Sequence, residues 1–175
     1  VTILASAAVS GETSTCGCEK ADIGGLAKRA TLIETERAEG PVLLVDAGDF
    51  GTDRGFDPWA KTVFIFDRMA ELGYDAITPG ESELIRGLPA AKDLYARHPE
   101  VRVVSANIRD ADGQPVWDEW TVVEKDGVRF GVTGVTGSAF YRFNVTRGTQ
   151  VSDDFTFEDP REALRRVLPG LRERS

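Results

Sequence analysis

The chain has 175 residues, 41% apolar and 29% charged, which suits one domain with a buried core and not a disordered chain. Its net charge of −8 argues against non-specific nucleic-acid binding, and no run approaches the roughly 20 apolar residues of a membrane span. A single histidine, His98, excludes a histidine-rich metal site, and a single pair of cysteines, Cys16 and Cys18, excludes a disulfide framework.

Val1–Val9 is apolar but short, with no basic segment and no initiator Met. It reads as a first strand, over Thr2–Ala7, and not as an export signal; the chain reads as processed or excised. A loop rich in Ser, Thr, Gly and Cys follows. Ile23–Glu39 predicts a helix, with Leu26, Ala30 and Ile33 on one face and Gly40-Pro41 as its stop. Pro41–Ala47 is a continuous apolar run, as in a central parallel strand. Asp57–Gly73 predicts a second helix, with Asp57 as N-cap, Pro58 in the first turn and Trp59, Val63 and Phe66 as the buried stripe.

A third strand is expected over Tyr74–Thr78, then a turn at Pro79-Gly80. One short and one longer helix are expected within Glu81–His98, and a fourth strand over Val101–Ile108. Pro115–Glu124 and Val128–Val135 flank a hairpin turn at Lys125-Asp126-Gly127. Glu158–Leu168 predicts a last helix with Ala163, Leu164, Val167 and Leu168 inward, ended by Pro169. The five arginines between Arg161 and Arg174, Arg166 among them, make this end of the chain basic and read as a solvated helix face. Alternating strands and helices predict an α/β fold, a mainly parallel sheet with an antiparallel hairpin. The pattern reads as one domain over residues 1–175, its N-terminal portion, expected to continue into a further strand.

Ligands of open α/β sheets bind at the carboxyl ends of strands. Those ends carry Ser10, Glu12, Cys16 and Cys18 after strand one, and Asp46 and Asp49 after strand two. Glu81, Ser82 and Glu83 follow strand three, and Asn107 follows strand four. Five segments then resemble the 5′-nucleotidase-like (calcineurin-like) metallophosphatases, in the right order over about residues 1–136. They are DIGGLAKRATLI (Asp22 to Ile33), VLLVDAGD (Val42 to Asp49), LGYDAITPG (Leu72 to Gly80), VSANI (Val104 to Ile108) and DGVRFGVTGV (Asp126 to Val135). The resemblance implies a layered αββα sandwich, hydrolysis of phosphoesters such as nucleotides at two metal ions, and a periplasmic or extracellular location.

Within that resemblance, Asp49 stands at the metal-bridging Asp. The Asp and His positions after strand one hold Ala8 and Ser10. The GNHE motif reads Gly80-Glu81-Ser82-Glu83, without its Asn and His. Two-metal hydrolysis needs ions about 3.5–4 Å apart with several N and O ligands. Asp49 alone does not hold such a pair; Glu81, Glu83, Glu12 and Asp46 offer oxygens to one hard cation. The expectation is therefore a degenerate metal site, with Asp49 and Glu81 as the candidate ligands of one divalent ion (Zn, Mn or Mg).

Cys16-Gly17-Cys18 lies where ligands have been lost, and this too resembles a subgroup of nucleotidase-like proteins with a Cys-x-Cys or selenocysteine motif ahead of the same helix. A nearby helix N-terminus lowers thiol pKa values; Lys20 assists and Glu19 opposes. The dithiol reads as a redox couple, as half of a tetrahedral metal site, or as a structural element. Three functions stand side by side: a diverged phosphatase domain with a working Cys-x-Cys, exchanging with a thiol partner or another envelope protein; an active phosphoesterase with altered ligands; and a binding or assembly module. Alongside these, His98 reads as an exposed helix-end residue, Asp46 and Asn107 as loop-pinning residues, and Asn144-Val-Thr as a glycosylation pattern that often arises by chance.

Overall fold

The computed structural model describes residues 1–15, 17, 23–138 and 154–175. Cys16, Cys18 and Asn144, and with them the expected dithiol and glycosylation triplet, lie outside the described residues. Four strands form one parallel sheet in the order β1 (Thr2–Ser6), β2 (Val42–Asp46), β3 (Ala76–Ile77) and β4 (Arg102–Val103). β1 and β2 pair from Thr2 with Val42 to Ser6 with Asp46, so the ends of both strands reach the same level. β2 is buried almost throughout, as its unbroken apolar run requires.

One face of this sheet carries helices α1 (Leu26–Glu39), α2 (Pro58–Glu71) and α4 (Gly87–Ala96), the last preceded by the short α3 (Glu81–Leu84). Ile33, Val42, Leu44, Phe66, Met69 and Leu94 belong to the core between them. α1 starts at Leu26 and not at Ile23, because Gly24 and Gly25 adopt φ of 81° and 88°, which a right-handed helix does not accommodate. In α2, Asp57 caps the helix by accepting the Ala60 N–H at 3.0 Å. Its buried stripe is Thr62, Ile65, Phe66, Met69 and Ala70; Trp59 and Val63 sit at its margin.

The other face is covered by the hairpin β6 (Trp120–Lys125) and β7 (Val128–Thr133), which turns at Asp126-Gly127. Outside the hairpin lies α5 (Pro160–Arg172), whose Ala163 and Val167 pack with Ala106, Trp120 and Val135. Helices, parallel sheet, hairpin and helix thus stack in four layers. None of the described helices is long and apolar enough to cross a membrane.

Two expectations need correction. The fourth strand is not continuous: β4 ends at Val103, and a separate β5 (Ile108–Asp110) pairs antiparallel with β8 (Phe155–Phe157), an element the sequence pattern did not reveal. Between them, Ser105 N–H donates to Asp118 O and Ala106 N–H to Gly134 O. The chain spends these donors on the second layer and so leaves the first sheet. Pro169 does not end the last helix, which runs on to Arg172. Leu171, 4% exposed, packs against Gly131, where an added Cβ would stand 2.7 Å from its Cδ1. That contact holds the last turn in spite of the missing proline N–H.

Candidate active-site cleft

The loops after β1, β2 and β3 meet at one edge of the parallel sheet. Beyond the strands, Ala8 N–H donates to Gly48 O, Ser10 N–H to Asp49 O and Gly11 N–H to Phe50 O, all at 2.9–3.0 Å. The loop after β2 approaches the start of α3 so closely that a Cβ on Gly80 would stand 2.1 Å from Asp49 N; only glycine fits. Ala8, Ser10 and Asp49 all have left-handed φ, between 51° and 56°. Among the described non-glycine residues only Asp126, in the hairpin turn, shares that property. Such strain costs about 1–3 kcal/mol per residue and gathers at functional sites.

Those three residues line one open cleft of about 700 Å³, together with Glu12, Gly51, Thr52, Asp53, Arg54, Lys61, Glu81 and Ser82. Ser10, Glu12, Asp49, Glu81 and Ser82 are therefore brought together along one cavity. Thr52, Asp53, Arg54 and Lys61 were not anticipated. The residues leading into α2 carry no recognisable motif; the N-cap signal at Asp57 was the one hint that a loop ended there.

Glu83, Asp46 and Asn107 have a different part. Glu83 is fully buried. Its carboxylate accepts the N–H groups of Asp49 (3.0 Å), Gly51 (2.8 Å) and Gly80 (2.8 Å) and the Ser82 hydroxyl (2.7 Å). Burial lifts its pKa to about 7, against the lowering effect of these donors. Glu83 is the knot that ties the cleft's loops, not a group that lines it. Asp49 completes the tie: its Oδ1 accepts the Ser82 N–H at 2.9 Å. Asp46 is also buried; it accepts the Ser6 hydroxyl and, at 2.8 Å, the Gly48 N–H. Burial pushes its carboxyl above the ordinary range, with those bonds pulling the other way. Asn107 is fully buried, donating to Thr136 O and Glu158 O and accepting the Thr136 N–H. It is a strut.

His98 is not the exposed helix end that was expected. Its ring bonds Asp67 at 2.9 Å and Glu100 at 3.1 Å and meets Phe66 edge-on. It does not line the cleft. Arg166, read as part of a solvated face, contacts Glu119 and Glu158, both shared with Arg109.

Among the described residues, no group of three or more His, Cys, Asp or Glu side chains is placed to hold a metal ion. The cleft offers carboxylates at Glu12, Asp49, Asp53 and Glu81, hydroxyls at Ser10, Thr52 and Ser82, a methyl group at Ala8 and no imidazole. This donor set does not fit a pair of ions bridged at 3.5–4 Å.

The fold itself has close counterparts. Over 99% of the chain it matches the structure of a 5′-nucleotidase precursor from Thermus thermophilus (TM-score 0.74, 24% identity, 35% of that chain). It matches the calcineurin-like phosphoesterase YfkN from Bacillus subtilis over 99% of the chain (TM-score 0.73, 21% identity, 58% of that chain). The fold is that of the calcineurin-like phosphoesterases. In sequence, the chain is 28% identical over 158 residues to a 5′-nucleotidase of Vibrio cholerae, covering 86% of this chain and 28% of that protein. No family model matches. Relatives and structural neighbours together indicate the 5′-nucleotidase/calcineurin-like phosphoesterase family and support a 5′-nucleotidase-like metallophosphatase domain. The chain spans between a quarter and a third of the length of the Vibrio relative.

Proposed function

We propose that this is a diverged 5′-nucleotidase-like domain of the Cys-x-Cys subgroup, with most metal-ligand positions changed and Cys16 and Cys18 working as a redox dithiol. The observation that carries the first half is the cleft wall itself. Ala8, Ser10 and Ser82, at positions where the resemblance expects Asp or His, line the same cavity as Asp49 and Glu81.

The second half is supported by where the cysteine-bearing loop begins. Leu26 N–H donates to Thr13 O at 3.1 Å, and a Cβ on Gly25 would stand 3.0 Å from the Ser14 carbonyl carbon. The loop's base thus abuts the N-terminus of α1, which has no side-chain cap and no acidic residue in its first turn. A positive helix end of that kind favours thiolate. In the proposed exchange, one thiolate attacks a partner's disulfide and displaces a partner thiolate. The second thiolate then resolves the mixed disulfide, leaving Cys16 and Cys18 oxidised and the partner reduced by two electrons. The partner is a thiol protein of the cell envelope, in keeping with the periplasmic or extracellular location that the resemblance implies.

A second reading keeps phosphoester hydrolysis, with Asp49 and Glu81 holding one divalent ion. It is favoured by the presence of both carboxylates and of Lys61 in one cavity. Equilibrium dialysis of the reduced chain against Zn²⁺ or Mn²⁺ separates the two. On the first reading Asp49→Ala leaves ion uptake unchanged, and any Zn²⁺ bound is lost with Cys16→Ser and Cys18→Ser. Stoichiometric uptake abolished by Asp49→Ala would overturn it in favour of the second.

A further inference from the structure

A hydrogen-bonded chain of side chains runs beneath the cleft on the helix-covered face of the parallel sheet. Arg29 of α1 donates to the Tyr74 hydroxyl at 3.4 Å. The hydroxyls of Tyr74 and Ser6 are 2.8 Å apart, Ser6 donates to Asp46 Oδ2, and Asp46 Oδ1 accepts the Gly48 N–H at 2.8 Å. Ser6 and Asp46 are register partners at the ends of β1 and β2, so parallel pairing points both side chains to the same side. Tyr74, 3% exposed, reaches them from the connection between α2 and β3.

From these contacts we infer that Ser6 and Tyr74 are positioning residues of the cleft: through Asp46 they hold the turn at 46–49, and with it the left-handed backbone of Asp49, in register with α1. The physical need is specific. Asp46 is buried, lies in the same turn as a second carboxylate, and has one backbone donor of its own in Gly48. A buried carboxylate short of donors draws in water or moves toward it. The Ser6 hydroxyl supplies the missing donor, and Tyr74 orients that hydroxyl by occupying its other side. The turn cannot shift freely, because Gly48 packs against the Gly80 backbone, where an added Cβ would stand 2.4 Å from Gly80 N. Arg29 lies one turn into the helix whose first N–H is bonded to Thr13, at the base of the cysteine loop. The chain is thus a covalently independent link between α1 and the cleft.

This inference deepens the proposed function, since it treats the cleft and the α1 end as one site, but its test reads the backbone and not the thiols. Amide hydrogen exchange is followed by NMR in the full chain for wild type, Ser6→Ala, Ser6→Thr and Tyr74→Phe. Loss of a hydrogen bond to a charged group corresponds to roughly tenfold or more in a local opening equilibrium. Gly48 exchange is expected to rise about tenfold in Ser6→Ala and in the same direction in Tyr74→Phe. Ser6→Thr, which keeps the hydroxyl, restores protection. Gly51 and Gly80, held by Glu83, keep wild-type exchange in all three. Unchanged Gly48 exchange in Ser6→Ala, or an equal rise at Gly48, Gly51 and Gly80, would overturn the inference. Failure here leaves the dithiol reading standing, and an inert dithiol leaves this result standing.

Discussion

Two clusters of charge hold this fold together, and they do it in opposite ways. At the cleft, Glu83 is fully buried and its carboxylate is met by three backbone N–H groups and one hydroxyl, with no cation among its bonds. Between the hairpin, β5 and α5, the carboxylates of Glu119 and Glu158 face the guanidinium groups of Arg109 and Arg166. Burial pushes Glu158 up, but bonds from Arg109 and Arg166 outweigh it and hold the carboxyl below its ordinary range. Burial wins at Glu83, which is raised to about 7. Opposite charge decides where water still screens; desolvation decides where it is gone. The cleft is thus the costlier construction.

The largest expected difference comes from removing each centre. Glu83→Ala leaves three N–H groups without their acceptor and should lower unfolding free energy by on the order of 4 kcal/mol, read by urea denaturation; a loss below about 1 kcal/mol would mean water replaces the carboxylate. Next comes the pH dependence. An acid whose folded pKa is raised binds more protons in the native state, so its contribution is full below pH 4.5 and is lost as pH rises toward 7. The span is worth about 3 kcal/mol. Wild type should therefore lose stability relative to Glu83→Gln between about pH 4.5 and 7.5, and a constant gap would contradict the buried, raised carboxyl. Arg109→Met, which strips the inner partner from Glu119 and Glu158, should cost about 1–3 kcal/mol. Arg166→Met, on the more exposed side, should cost below about 1 kcal/mol and less still in high salt; an effect as large as that of Glu83→Ala would erase the distinction between the clusters.

The layers and most elements were legible because their patterns are local. The apolar run at Val42–Val45, the Asp57-Pro58 cap and the Asp126-Gly127 turn each carry their own signal. The break after β4 and the passage of α5 through Pro169 depend on distant partners at Asp118, Gly134 and Gly131, and β5 on its pairing with the remote β8, none of which a local pattern reports. At the candidate site, Ser10, Glu12, Asp49, Glu81 and Ser82, singled out by their position after strand ends, line one cleft. That position did not separate lining residues from struts. Glu81 and Glu83 are two residues apart, yet one lines the cleft and the other is its buried knot. The Glu83 carboxylate meets the amides of Asp49, Gly51 and Gly80, and no local pattern announces those bonds. Ser6 and Tyr74 passed unnoticed for the same reason, since a hydroxyl in or beside a strand has no sequence signature until its partner is known.

The proposed function joins changed metal-ligand positions in the cleft to a working dithiol. The most direct measurement of this is the thiol content of the chain after equilibration across a series of glutathione potentials, with Cys16→Ser and Cys18→Ser as controls. A reversible two-electron transition between roughly −300 and −120 mV, the range of thiol–disulfide enzymes, lost in either variant, is the predicted result. Two thiols that stay reduced at every potential would contradict it.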